Sequence, residues 1–402
     1  MNEGGLSSVS ILTNRMNCRY RESYISGESL IFHVKDQEIK EEVKEETLKD
    51  WYDNHASVSG FGDVKSQETR INLDVRNAKE MGSDLVKPSK ELIKEVKCFW
   101  NSCFYPNNIR VEFYKMNVYS KGGKFKPHLD TPEKNLLGTA LVCVGDSTRN
   151  KEFLQENGKP RTSYDKDFKV GGEEISIRYG TFIAFFTDVK HSVYEIPCGH
   201  RATLAFKIFY DNKDLNTITP SITINENQND NTNHDQNIQK IINQEAQEIL
   251  FKHLSNYRPG YGILLSHKYA RQDTIMKGAD QMLIEILKKL PGAKCLLFPV
   301  VLKFNATWED SECRSDPPEY SSSVYALTDT VLHKGLTKEV KKTELDNEIE
   351  NLEDIPFFNL NKDGFEWHFQ HKESTEYTGN ESRSGDENSI YVNFAAVVIS
   401  AE

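Results

Sequence analysis

The sequence lacks any pairing pattern among its cysteines. The seven (Cys18, Cys98, Cys103, Cys143, Cys198, Cys295 and Cys313) are scattered, odd in number and never spaced C-x-x-C. Neither a zinc ribbon nor a disulfide framework is therefore expected. Long apolar runs are missing too, so no transmembrane segment is expected and no membrane is called as a partner. The opening Met-Asn-Glu-Gly-Gly has no basic start followed by an apolar stretch, so no signal peptide is expected either. A reducing location, cytoplasmic or nuclear, is the matching expectation. Positive charge is also in short supply. Fifty Lys and Arg against 61 Asp and Glu give a net charge of -11. That balance argues against a nucleic-acid backbone as the main partner, because few cations are available to replace its counterions.

The chain does have enough length and apolar content for two ordinary cores, with 402 residues, 37% of them hydrophobic, at a mean hydropathy of -0.62. The segment 36–52, DQEIKEEVKEETLKDWY, places Ile39, Val43, Leu48 and Trp51 at roughly helical spacing and predicts a solvated amphipathic helix. Ser89 is placed to cap a helix running to about Cys103, with Leu92, Val96 and Phe99 as its inner stripe. From Val111 the period shortens to that of strands. Apolar and β-branched segments then recur at 136–144, 171–180, 181–189, 191–196 and 201–210, with Gly and Pro at their joints. Such a series predicts a β-sandwich or barrel, in a mainly β fold with flanking helices. Residues 145–170, rich in Lys, Asp and Glu, read as a surface insertion.

A first domain of 1–215, a linker of 216–237 and a C-terminal domain of 238–402 follow from this pattern. Within the linker, 222–237 (ITINENQNDNTNHDQN) is too polar to order itself by burial. Beyond it, helical spacing from Ile238 to Leu254, a strand in GILLSHKYA, a helix in QMLIEILKKL and strands in CLLFPVVLKFNA and IYVNFAAVVI predict an α+β unit. The acidic segment 337–354 reads as a helix or loop on its surface.

Chemistry concentrates near the middle of the chain. In Lys124-Phe-Lys-Pro-His128-Leu-Asp130, an imidazole and a carboxylate stand two residues apart, and on a strand both face the same side. His191 lies on a later apolar strand. Two histidines and one carboxylate form a facial triad suited to non-haem Fe(II), although Zn²⁺ and Mn²⁺ accept the same donors. Arg201 follows across a turn at Pro197–His200, which would bring it into the interior that His191 faces. A guanidinium there needs an anion. It has two candidates: the far carboxylate of a metal-chelating dicarboxylate, or an acidic side chain such as Glu195.

At these residues the sequence resembles the prolyl-4-hydroxylase-like branch of the 2-oxoglutarate/Fe(II) dioxygenases. The likeness spans about residues 70–210. It rests on Tyr119-Ser-Lys-Gly122-Gly123-Lys-Phe125-Lys-Pro127-His128-Leu129-Asp130, on Gly171-Gly172-Glu173, on Gly180-Thr-Phe-Ile-Ala-Phe-Phe ahead of His191, and on Gly199-His200-Arg201 after it. The resemblance implies a double-stranded β-helix (jelly roll) with its core at about 108–212, and a second domain that is α+β or a degenerate jelly roll. It implies Fe(II) on His128, Asp130 and His191, with 2-oxoglutarate and O₂ as co-substrates and ascorbate as an accessory reductant. Arg201 would bind 2-oxoglutarate, with Tyr119 and Thr203 lining its site. Phe125 departs from a position where relatives often carry Tyr, so a hydroxyl is missing there. The implied reaction hydroxylates a substrate C–H bond and yields succinate and CO₂, on a protein residue such as proline. A small metabolite or modified nucleobase, and a non-catalytic sensing or binding module, are the alternatives.

Overall fold

The computed structural model describes residues 18–63, 68–131, 133–150, 165–211, 247–269, 275–307, 319–326, 357–359, 369–374 and 387–401. The polar stretch 222–237 and the acidic segment 337–354 lie outside the described residues. The chain divides into two compact units, one of them Cys18–Ile241 and the other containing Ile242–Glu402. No described helix is long and apolar enough to cross a membrane.

The first unit is built on two antiparallel sheets. In chain order its strands are β1 (Tyr20–Tyr24), β2 (Ser57–Val58), β3 (Arg76–Asn77), β4 (Lys79–Met81), β5 (Ile109–Tyr119), β6 (Lys124–His128), β7 (Leu136–Asp146), β8 (Phe168–Val170), β9 (Glu173–Ile175), β10 (Thr181–Phe186), β11 (His191–Val193) and β12 (Arg201–Tyr210). One sheet has the order β1-β10-β7-β12-β5-β4-β2, and the other β9-β8-β11-β6-β3. The sheets face each other, since Phe168 of β8 and Phe185 of β10 bring their ring centroids to 6.2 Å.

The sequence of β10, TFIAFF, explains how this sandwich is packed. All six residues are buried, which requires cover on both faces. Side chains alternate along a strand, so Phe182, Ala184 and Phe186 share one face and Ile183 and Phe185 the other. The first face meets the helix Lys90–Cys103, where Phe99 lies 4.4 Å from Phe182 and Trp100 lies 5.3 Å from Phe186, centroid to centroid. The second face looks into the sandwich. Gly138 on β7 lets the helix approach, because an added Cβ would run into the Phe185 carbonyl and the Trp100 ring.

The helix begins where the capping pattern places it. Ser89 is extended, and its hydroxyl accepts a hydrogen bond from the Leu92 amide at 3.1 Å. Leu92, Val96 and Trp100 form the buried stripe at i, i+4 and i+8, with Trp100 taking the place expected for Phe99.

Two expectations need correction. The segment 36–52 is not one helix. Lys35 and Asp36 both adopt positive φ (49° and 67°), which closes a two-residue hairpin between Phe32–Val34 and Gln37–Ile39. The helix starts only at Glu45, runs to Asp50 and continues as a wider turn over Trp51–His55. Nor is 145–170 wholly a surface insertion. Its described ends bury Ser147, Thr148 and Asp167, and Phe168–Val170 is a strand of the second sheet. Residues 151–164 lie outside the described set.

The second unit holds β13 (Tyr261–Leu264), β14 (Ala293–Thr307), β15 (Glu319–Ala326), β16 (Phe357–Asn359), β17 (Phe369–Ser374) and β18 (Glu387–Ser400), with a helix over 247–254 and another at Gly278–Leu287. The sheet order is β15-β14-β18-β13-β16, with β17 also on β18; β13 and β16 run parallel. Asp280, in the first turn of its helix, accepts from the amides of Ser266 and His267 at 2.9 Å and from the Tyr269 hydroxyl at 2.7 Å. That carboxylate ties the helix start to the loop after β13.

Candidate metal centre

His128 ends β6 and His191 opens β11, and the two are register partners across the antiparallel pair. Partners of this kind project from the same face. Their ring centroids lie 4.1 Å apart. Asp130 stands beyond the end of β6 rather than on it. Strand periodicity therefore does not bring the carboxylate to the histidines. The chain after the strand does so, together with Thr139 of β7, whose hydroxyl donates to Asp130 Oδ2 at 2.6 Å. The other carboxylate oxygen, Oδ1, is left 3.8 Å from His191 Nε2. One ligand atom from each of His128, Asp130 and His191 falls within 4.8 Å of the other two.

Both imidazoles are oriented through their other nitrogen. His128 Nδ1 lies 2.8 Å from the Lys126 carbonyl and His191 Nδ1 lies 3.0 Å from the Val189 carbonyl. A carbonyl can only accept, so each Nδ1 carries a proton, which leaves Nε2 as the nitrogen that can face an ion. This is the arrangement by which metal-binding histidines are held in one tautomer. Burial pushes the His128 imidazole down to about 3, and neighbouring His191 adds to that, so the ring is neutral. Aromatic rings wall the centre: Phe185 lies 4.4 Å and Phe168 5.9 Å from His191, while Phe125 stacks on His128 at 3.5 Å and 23°. The donor set, two imidazoles oriented through Nδ1 and one carboxyl group, with His191 buried and the other two half-buried, fits a divalent ion.

The residues expected around a co-substrate come together on the facing sheet. Tyr119 and Arg201 are register partners between β5 and β12, as are Asn117 and Thr203. Tyr119, Thr203 and Arg201 are all buried. Tyr119 packs with Ala78, Val193 and Ile196. Burial raises its hydroxyl pKa, and the cations Arg76 and Arg201 pull against that rise.

Arg201 sits in an ion-pair network. Its Nη2 lies 2.8 Å from Asp167 and 3.3 Å from Asp146, and Arg149 reaches the same two carboxylates at 2.6 and 2.9 Å. Burial opposes the charge on Arg201, but Asp146 and Asp167 outweigh it and raise its pKa. Burial would likewise raise Asp167, yet Arg201 and Arg149 hold its carboxyl down to about 2. Glu195, the acidic partner considered from sequence, pairs instead with Lys124 at 3.0 Å.

Three residues here carried no sequence signal strong enough to single them out. Thr139 lies in an ordinary apolar strand, and Asp146 lies at the edge of a segment read as insertion. Arg76 lies in a polar stretch and opens the two-residue strand β3. It is buried, its guanidinium lies over the Phe125 ring at 4.5 Å, and it donates to Gly60 O at 2.8 Å and Asn117 Oδ1 at 2.9 Å.

No protein-family model matches the sequence, and no curated protein matches it. Solved structures do. A prolyl-4-hydroxylase from Pseudomonas putida is 10% identical, with a TM-score of 0.32 over 50% of this chain and 99% of that one. A 2OG-Fe(II) oxygenase family oxidoreductase from Burkholderia pseudomallei is 12% identical, with a TM-score of 0.29 over 52% and 93%. A prolyl hydroxylase from Trichoplax adhaerens, solved with a hypoxia inducible factor peptide fragment, is 14% identical, with a TM-score of 0.30 over 52% and 94%.

Proposed function

We propose that the chain is an Fe(II)- and 2-oxoglutarate-dependent dioxygenase that hydroxylates a C–H bond of a protein residue such as proline. The observation that carries this reading is the convergence of His128, Asp130 and His191, with both imidazoles fixed by their Nδ1 protons. The strand order supports it: with edge strands set aside, β5-β12-β7-β10 faces β6-β11-β8-β9, an order compatible with a double-stranded β-helix. Fe(II) bound there, with 2-oxoglutarate and O₂, supplies oxidative decarboxylation coupled to hydroxylation.

The protein's own contribution is positional. His128, Asp130 and His191 would hold the metal. Thr139 fixes which Asp130 oxygen faces inward. Phe125, Phe168 and Phe185 keep water from the ligand side. Tyr119 and Thr203 line the interior opposite, and the buried cations Arg76 and Arg201 offer charge to an anionic co-substrate. Leu129, between two ligands in sequence and 40% exposed, puts apolar surface beside the centre for a polypeptide to rest on.

The test is succinate release from 2-oxoglutarate by iron-loaded protein, with mass spectrometry of proline-containing polypeptides for a gain of one oxygen. Release that depends on iron and is lost in His191→Ala is the expected result. Iron-bound protein that yields no succinate with peptides or cell extracts would overturn the reading.

A further inference from the structure

Arg201 is surrounded by more negative charge than it can cancel. Its Nε and Nη2 face Asp146 at 3.3 Å, and Nη2 also reaches Asp167 at 2.8 Å and the Thr148 hydroxyl at 3.3 Å. Two carboxylates thus flank one guanidinium whose side chain is 1% exposed. These contacts fix the Nε and Nη2 edge and leave Nη1 buried with no partner. A buried donor without an acceptor is costly, so that nitrogen suits an incoming one. Across the β5–β12 pair from Arg201 stands Tyr119, which packs against Val193 of β11, the strand that His191 opens.

Orientation alone does not make an anion site. One cation between two anions leaves net negative charge, which repels a further carboxylate. Arg149 removes that excess. Its Nη1 lies 2.9 Å from Asp146 and its Nη2 2.6 Å from Asp167, so both carboxylates are shared between the two arginines. The Ile177 and Asp165 carbonyls accept from the same two nitrogens at 2.9 and 3.0 Å and hold the guanidinium in place. With Arg149 counted, the four groups are neutral. Its side chain is 17% exposed and lines a cavity of about 990 Å³ with Glu42 and Tyr179, so water replaces it when it is shortened.

We propose that Arg149 is a positioning residue for the co-substrate. It neutralises the two carboxylates that orient Arg201, and so leaves Arg201 Nη1 able to take the distal carboxylate of 2-oxoglutarate. The proposal rests on the dioxygenase reading above.

Full-length protein loaded with Mn(II) is titrated calorimetrically, without oxygen, with 2-oxoglutarate and with pyruvate. Pyruvate has the same keto-acid head and no distal carboxylate. Wild type is expected to prefer 2-oxoglutarate, and Arg149→Gln to lose that preference by roughly ten- to a hundredfold with pyruvate binding unchanged. Arg149→Lys keeps the charge and should stay within about fivefold of wild type. The discriminating protein is Arg149→Gln/Asp146→Asn, which drops one anion together with the cation. It should regain affinity to within about threefold of wild type, which a purely structural role for Arg149 would not give. Folded Arg149→Gln within about twofold of wild type, or a loss that the double variant leaves in place, overturns the proposal. So does wild type that binds both acids equally. Wild type that binds neither overturns the dioxygenase reading instead. If Arg149→Gln does not fold, Asp146→Asn alone decides. With one anion removed it should bind 2-oxoglutarate more tightly than wild type, and equal or weaker binding overturns the proposal.

Discussion

Asp167→Asn tests the ion-pair network around Arg201, and its effect should depend on pH in a defined way. The Asp167 side chain is 1% exposed, so solvent screens its partners little. Burial opposes its charge, but the two arginines lower its carboxyl from 3.8 to about 2. That difference corresponds to about 2 kcal/mol of preference for the ionised form in the folded state. Because the folded value lies below the unfolded one, the stabilisation is complete above the unfolded value and is lost as pH falls through the folded one. Protonated Asp167 resembles Asn. The gap between wild type and variant should therefore be about 2 kcal/mol near neutrality, shrink to about half by pH 3, and vanish below pH 2. Urea unfolding of the full chain, followed by tryptophan fluorescence at a series of pH values, reads this gap directly. A gap that is the same from neutral to acid pH, or no gap at all, would refute the electrostatic account of Arg201.

Thr139→Val removes the donor to Asp130 Oδ2 without touching a ligand. Mn(II) affinity, measured by calorimetry, should fall about tenfold while the melting temperature holds, and an unchanged affinity would show that Thr139 does not orient Asp130. Trp100→Ala empties a fully buried site between the helix and β10. It should cost about 3–5 kcal/mol in urea unfolding, and a loss under about 1 kcal/mol would contradict the packing described.

Much of the first unit was readable because its strands are long or strongly apolar. Segments such as 136–144 and 201–210 appear as strands of the same extent or slightly longer, and the Ser89 cap fell where expected. The hairpin at Phe32–Ile39 was not readable. Its two positive-φ residues are Lys and Asp, which carry a weaker turn signal than Asn-Gly, and the charged run downstream imposed a helical period on them. The three converging side chains were singled out from the sequence, but the strand spacing offered for Asp130 is not what brings it to the histidines. Its convergence depends on a hydroxyl nine residues away on another strand, a relation that local periodicity does not contain. Arg76, Asp146 and Asp167 escaped for the same cause. A charged residue in a polar stretch looks solvated until the fold places it inside.

The pairing of His128 with His191 also bears on how the chain's topology is secured. An ion shared by those two imidazoles would close a loop of roughly sixty residues that contains β7, β8, β9 and β10. In chain-entropy terms, closing a loop of that length removes about 4 kcal/mol of freedom from the unfolded ensemble. The centre would then act as a reversible crosslink in a chain whose described cysteines form no disulfide, so that metal supply governs how long the fold persists as well as what it can do.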